Sequence, residues 1–234
     1  MALLLHIDTA GEKALIAFTQ NGLALSSKEN TIPHAHASFV QAGIEALAME
    51  NNLLLSSIDA VVVTMGPGSY TGLRVGLASA KGIAYALQKP LIGLSTLALL
   101  ANVAKKSPHY SSQGDHLQIF TMIDAKRDEV FGAIFNKAST KTLEEQAIVL
   151  NTAYFENLVV SGPVLCIGTG AEKAKAITQE PFVLYSDLSY SLLDFIELAE
   201  AKFISKDFED IAYSSPAYLK DFYQKSHLKG KIIG

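Results

Sequence analysis

Two stretches of this chain repeat one plan. Ile7-Asp8-Thr9-Ala10-Gly11-Glu12-Lys13-Ala14-Leu15-Ile16-Ala17-Phe18 and Ile123-Asp124-Ala125-Lys126-Arg127-Asp128-Glu129-Val130-Phe131-Gly132-Ala133-Ile134 each read as an apolar strand ending in Ile-Asp, a polar turn and a second apolar strand. After the first copy the pattern predicts a third strand around Leu23 to Ser27, a helix over Ala35 to Glu50, a strand Ala60 to Thr64, a helix Tyr70 to Gln88, a strand Pro90 to Leu94 and a helix Thr96 to Lys105. Strands paired by turns and then alternating with helices imply a mixed sheet with helical cover. Lys106 to Asp115, with Pro108, Ser111, Ser112 and Gly114, is the natural boundary; beyond it the pattern gives a second hairpin, a strand Val164 to Ile167, a helix from Ala171 and an amphipathic helix Tyr190 to Ile204. The expected division is residues 1–106 and 107–206, with the tail, about 207–234, packing back on the first part. Two similar halves facing each other would bring Asp8 and Asp124 to opposite walls of one cleft.

Met65-Gly-Pro-Gly-Ser-Tyr-Thr-Gly-Leu-Arg-Val-Gly76 follows the apolar run Ala60 to Val63. A strand, a turn with Gly66 and Gly68, and a helix opened by Ser69 or Thr71 aim backbone N–H groups and a positive helix end at one point, which suits an anion. The segment matches none of the common phosphate or nucleophile loops. A P-loop needs Lys-Ser/Thr after its last Gly, where Leu73-Arg74 stand; a dinucleotide fingerprint needs Gly or Ala at Thr71; a hydrolase elbow needs Gly two residues either side of Ser69. A tight turn with a degenerate anion site is what remains.

The chain has 234 residues, 49% apolar and 18% charged, enough to bury a large core. Cys166 stands alone, so neither a disulfide nor a cysteine metal cluster can form within one chain, which suits a reducing cytoplasm. The opening Met-Ala-Leu-Leu-Leu-His-Ile-Asp has no basic region or cleavage site and reads as a strand, and the longest apolar helix-like stretch, Leu91 to Ala104, is too short for a bilayer. A net charge of −4 supplies no basic field for nucleic acid. Only the tail, with Lys220, Lys225, Lys229 and Lys231, leans basic.

Metal chemistry is disfavoured by spacing. His34 and His36 are two apart, which on a helix turns them about 200° from each other; there is no His-Glu-x-x-His and no Cys pair, and His6 lies in an apolar strand. Two helices, by contrast, have more apolar surface than one sheet face can cover. In the Tyr70 to Gln88 helix the charges are Arg74 and Lys81, aligned with Gln88 in a narrow stripe, while Gly72, Gly76, Ala80 and Ala84 form a small-residue ridge that would let another helix approach closely. The helix from Ala35 has a similar surplus: Phe39, Val40, Gly43, Ile44 and Leu47 are apolar, with a thin polar strip of Ser38, Gln41 and Glu45. Residues alone leave two readings open: the helices cover each other and the sheet, or they meet a partner.

The acidic strand ends, the duplication and a further glycine turn at Gly168-Thr169-Gly170 resemble the duplicated ribonuclease-H-like α/β fold of the actin, sugar-kinase and heat-shock ATPase superfamily. Within it, Ile7-Asp8-Thr9-Ala10, the segment Gly66 to Arg74, Ile123 to Phe131 and Pro216-Ala217-Tyr218-Leu219-Lys220 resemble the TsaB (YeaZ) family over nearly the whole chain. The resemblance implies a non-catalytic, cytoplasmic subunit with no membrane segment. Its partner would be TsaD, which transfers a threonylcarbamoyl group to the adenosine beside the anticodon of tRNA. It further implies a TsaE ATPase reached through the assembly, tRNA touched only indirectly, and a homodimer when the protein is alone. On this resemblance the first two helices, through Phe39, Val40, Gly43, Ile44, Leu47, Gly72, Gly76, Ala80 and Ala84, are the expected interface, so that Arg at Gly76 or Ala80 should block association.

A vestigial nucleotide cleft would involve Asp8, Gly66, Gly68, Ser69, Asp124, Gly168 and Gly170. The chain departs from the superfamily where phosphates are held: Asp8 is followed by Thr9-Ala10, with glycine only at Gly11, and Asp124 by Ala125-Lys126-Arg127. The expectation is that no cofactor is required, with residual weak binding of ATP or ADP and magnesium. For Asp8 the residues leave two roles open, capping its own turn or a weak phosphate or magnesium contact. Three functions compete at this point: scaffold subunit, autonomous kinase or ATPase, and metallopeptidase, the last opposed by the ligand spacing.

Overall fold

The computed structural model describes residues 2–32 and 36–220. Two five-stranded sheets share one topology. In the first, β1 (Leu3–Asp8), β2 (Ala14–Gln20), β3 (Leu23–Asn30), β4 (Ala60–Gly66) and β5 (Leu91–Ser95) lie in the order β3-β2-β1-β4-β5. In the second, β6 (Gln118–Asp124), β7 (Glu129–Asn136), β8 (Lys141–Val149), β9 (Val164–Ile167) and β10 (Val183–Ser186) lie in the matching order β8-β7-β6-β9-β10. The first three strands of each sheet are antiparallel and the last two add in parallel. This is the duplicated ribonuclease-H-like arrangement.

Side-chain alternation sorts each central strand onto two faces. Leu3, Leu5, Ile7, Val61 and Val63 pack beneath α1 (His36–Glu50) and α2 (Tyr70–Leu87) through Val40, Ile44, Leu47, Leu77, Ala80 and Ala84. The second sheet is covered in the same way by α5 (Thr152–Leu158) and α6 (Ala171–Ile177), with Phe120, Met122, Cys166 and Phe155 at the centre. Because both faces are buried, β1 and β4 read as unbroken apolar runs rather than alternating ones.

The third helix of each half crosses over. Immediately after β5, α3 (Thr96–Ala104) packs Leu97, Leu100, Ala101 and Val103 against Ile119, Ala133, Leu165 and Ile167 of the second sheet. Its counterpart α7 (Leu192–Ser205) lays Phe195 and Ala199 on Leu4, Val62, Ile92 and Leu94 of the first. The two helices touch, and Asn102 Nδ2 donates to Glu197 at 2.9 Å while Lys106 pairs with buried Asp194 at 2.6 Å. Ser95 caps α3 by accepting from the Leu97 and Ala98 N–H groups, and a reciprocal Ser191–Asp194 capping box opens α7.

The predicted boundary at Lys106 to Asp115 contains a short helix, α4 (Pro108–Ser112), capped by Ser107 and held by the Tyr110 hydroxyl donating to the Lys137 carbonyl at 2.7 Å. Sequence pattern did not single out β8, β10 or α5. β8 is an edge strand carrying Lys141, Glu144 and Glu145, charges that suit an edge but obscure a strand signal; β10 has only 4 residues and α5 only 7. No helix among the described residues is long and apolar enough to cross a membrane.

Candidate functional site

Asp8 ends β1 almost fully enclosed, 5% exposed. Its Oδ1 accepts from the Ala10 N–H at 3.0 Å and the Thr64 hydroxyl at 2.7 Å, and its Oδ2 from the Tyr190 hydroxyl at 2.9 Å. Burial pushes the carboxyl above its ordinary range, against the pull of those three donors. Burial, followed by the charge of Asp8, raises the Tyr190 hydroxyl well above 10 and keeps it protonated as a donor. Both roles foreseen for Asp8 are thereby narrowed: it does cap its own turn, and both of its oxygens also accept from elsewhere, Oδ1 from Thr64 on the neighbouring strand and Oδ2 from Tyr190, 182 positions away.

The glycine turn closes on the chain itself. Ser69 N–H donates to the Ala10 carbonyl at 2.7 Å, and the Ser69 hydroxyl accepts from Gly72 N–H at 3.2 Å. A Cβ on Gly68 would overlap the Ala10 carbonyl, one on Gly72 the Thr9 carbonyl, and one on Gly76 the Thr9 hydroxyl, which itself donates to the Gly72 carbonyl at 2.7 Å. Gly66 has φ of 102°, open to glycine alone. These glycines admit the Thr9-Ala10 turn, and the Ser69 N–H, the first donor a phosphate would meet, already serves the Ala10 carbonyl. A nucleotide phosphate with its magnesium does not fit this turn as it stands.

The second half follows the same logic with a different register. Gly170 N–H donates to the Met122 carbonyl at 3.1 Å, and added side chains at Gly168 and Gly170 would run into Met122. Asp124 is partly exposed, bound by Lys173 Nζ at 2.5 Å and by the Lys126 N–H at 2.7 Å; its hydrogen bond from Lys173 holds it below the usual carboxylate range. The two acids take different faces of their own sheets. Ile7 lies in the cluster beneath α1 and α2, whereas Ile123 packs with the α3 side of its sheet, so Asp8 turns toward Tyr190 and Asp124 toward α6. Aligning the two Ile-Asp pairs is one residue out of phase with the faces, and in a strand one residue reverses the side.

The expected interface residues need correction. Val40, Gly43, Ile44, Leu47, Gly72, Gly76, Ala80 and Ala84 are buried in this single chain, and Phe39 is partly buried against the same core. The Gly72/Gly76 end of the ridge meets the Thr9 turn, and Gly43 allows α1 to approach Ile16 of β2, where a Cβ would come within 2.7 Å of its Cδ1. The face of α2 that remains open is Thr71, Val75, Ala78, Gly82, Tyr85 and Ala86, beside Ala42, Glu45, Ala46 and Met49 of α1. Nothing lies within 4 Å of where a Cβ on Gly82 would stand, and Tyr85 and Met49 are 77% and 72% exposed.

The polar stripe of α2 has a partner within the chain. After α7 the chain bridges Glu209 N–H to the Leu91 carbonyl at 2.8 Å and then runs back along α2 as a strap. Lys81 Nζ donates to the Ser214 carbonyl at 2.9 Å, Ala217 N–H to the Met65 carbonyl at 2.8 Å, and Arg74 Nε to the Tyr218 hydroxyl at 2.9 Å, with the guanidinium 4.0 Å from the Tyr70 ring centre. Lys220 pairs with Glu129 of β7. The two charges of α2, seven residues apart on one side of the helix, are both used in this way. Lys225, Lys229 and Lys231 lie outside the described residues.

Among the described residues no group of three or more His, Cys, Asp or Glu side chains could hold a metal ion. His34 lies outside them. His6 Nε2 shares a 2.7 Å hydrogen bond with Thr19 Oγ1, its ring is 5.3 Å from that of Phe195, and burial lowers its pKa to about 3. Cys166 is buried in an apolar cluster that raises its thiol pKa, the opposite of a reactive cysteine.

The tRNA N6-adenosine threonylcarbamoyltransferase (TsaD) family model matches residues 30–229. The tRNA threonylcarbamoyladenosine biosynthesis protein TsaB of Escherichia coli strain K12 is 25% identical, over 97% of this chain and 99% of that protein. A tRNA N6-adenosine threonylcarbamoyltransferase of Solidesulfovibrio magneticus is 27% identical over 77% of this chain but only 54% of its own length. The solved structure of YeaZ from Pseudomonas aeruginosa superposes with a TM-score of 0.74 at 27% identity, covering 94% of this chain and all of that one. The chain therefore belongs to the family described by the TsaD model and, within it, to the TsaB (YeaZ) proteins.

Proposed function

We propose that this protein is a non-catalytic, cytoplasmic scaffold subunit in the addition of a threonylcarbamoyl group to the adenosine beside the anticodon of tRNA. It docks the open face of α1 and α2 against a TsaD-like catalytic subunit and pairs with a second copy when alone; a TsaE-like ATPase and tRNA are engaged only through the assembly. The carrying observation is that face itself: Val75, Ala78, Gly82, Tyr85 and Ala86 form an uncharged, low-relief strip on a helix whose charges are both occupied by the strap. Small residues let a second helix come close, and an exposed tyrosine beside them is a suitable anchor. The filled glycine turn supports action without nucleotide, since Thr9-Ala10 packs against its glycines and its Ser69 N–H is taken by the Ala10 carbonyl. A subunit of this kind acts by binding the competent form of its partner more tightly than other forms.

The test is threonine incorporation into tRNA by reconstituted TsaD-like, TsaE-like and nucleotide-supplying components. Incorporation should require this chain in proportion to TsaD, and Ala78→Arg or Gly82→Arg should abolish both TsaD binding and activity without unfolding the protein. Asp124→Ala should retain activity. Full incorporation without the chain, or magnesium-dependent ATP turnover by the chain alone, would replace the scaffold reading with an enzymatic one.

A further inference from the structure

The crossover of α3 and α7 leaves each half dependent on the other's helix, and each crossing point is tied by a carboxylate from the opposite sheet. Where the chain leaves the second sheet for α7, Tyr190 donates to Asp8 of β1 at 2.9 Å. Where it leaves the first sheet for α3, the Ser95 hydroxyl donates to Glu145 Oε1 of β8 at 2.6 Å, and Lys141 Nζ steadies the same oxygen at 3.3 Å. Asp8 is almost fully buried, and the Glu145 side chain is only 15% exposed, so water competes little for either bond. Neither bond serves a strand ladder or a helix of its own half. Removing the partner hydroxyl would leave an enclosed carboxylate short of a donor, which costs more than the bond itself contributes.

We propose that these two contacts are reciprocal latches which fix the two halves in one closed arrangement with no ligand between them. Asp8 then acts as a fastening between halves. Tyr190 supplies a contact that a bound molecule would otherwise have to make, while the Ala10 carbonyl accepts from the Ser69 N–H at the start of α2. This holds whichever partner occupies α1 and α2, because both latches lie on the seam between the sheets.

Hydrogen–deuterium exchange of the full chain tests it. Tyr190→Phe should raise exchange about tenfold or more across both 94–104 and 186–199, the loss expected for one hydrogen bond to a charged acceptor. Glu145→Ala should do the same from the other side, and millimolar magnesium-ATP should leave exchange in the intact protein unchanged. Thr64→Val removes a donor to the same Asp8 carboxylate from within the first sheet and should leave 94–104 unaffected. The proposal is overturned if Tyr190→Phe changes exchange only at 186–199, if Thr64→Val opens both segments equally, or if magnesium-ATP protects the seam.

Discussion

Helix α2 contains two glycines that should respond to alanine in opposite senses. At Gly82 nothing lies within 4 Å of the new methyl group, and the position is exposed mid-helix. The substitution removes only the conformational disadvantage of glycine, so Gly82→Ala should stabilise the fold by about 0.8–1 kcal/mol. At Gly76 the same helical gain of about 1 kcal/mol is offset by overlap with Thr9 Oγ1, typically about 1–3 kcal/mol for overpacking, and by loss of the Thr9–Gly72 hydrogen bond, about 1 kcal/mol. The net expectation for Gly76→Ala is a loss of about 1–3 kcal/mol. For a chain of this length each kcal/mol moves the midpoint by about 2–4 °C. Thermal unfolding followed by circular dichroism should place Gly82→Ala a few degrees above the parent protein and Gly76→Ala several degrees below. Midpoints that move in the same direction would refute the assignment of one glycine to internal packing and the other to open surface.

His6 makes stability fall with acid. Its pKa drops from 6.5 unfolded to about 3 folded, so between those values the unfolded chain binds the extra proton and the native state loses about 1.4 kcal/mol per pH unit; the loss should begin as pH falls through 6.5. Denaturant unfolding at pH 7 and pH 5 should show a markedly shallower decline for His6→Gln, and identical profiles would contradict the burial. Residues 1–106 expressed alone lose the Phe195 and Ala199 cover from Leu4, Val62, Ile92 and Leu94 and keep only that of Leu99, and these are side chains whose full burial stabilises by roughly 1.5–3 kcal/mol each. That fragment should aggregate, and co-expression with 107–220 should restore a soluble complex visible by gel filtration; a monomeric, cooperatively folding 1–106 would overturn the crossover packing.

The sequence made the fold legible through its strongest local patterns. The buried runs Leu3 to Asp8 and Ala60 to Thr64, the capped helices at Ser69 and Ser95, and the repeated hairpins lie within a few residues of their expected positions. The site was legible only in part, because the missing information is nonlocal. Asp8 and the glycine turn stood out by type, but nothing in the neighbourhood of Tyr190 marks it as the donor to Asp8. The small-residue ridge was visible, yet periodicity could not tell which of two small faces on α2 is turned inward: Gly72-Gly76-Ala80-Ala84 meets the Thr9 turn and the sheet, while Ala78-Gly82-Ala86 stays open. Arg74 and Lys81 announced a stripe without announcing the strap that binds it.

The exchange of α3 and α7 also bears on how such a chain could arise. With equal strand orders in both sheets and the last helix of each half lying on the other, the molecule has the plan of a pseudo-twofold dimer whose subunits traded their terminal helices. A single ancestral copy with this helix extended would have been competent only as a pair, and duplication with fusion through residues 105–117 would convert that obligate pairing into covalent linkage. Within a single chain the contact between α3 and α7 does not have to be self-complementary, as it would between two identical copies. Leu99 and Phe195 occupy the shared layer as unlike residues.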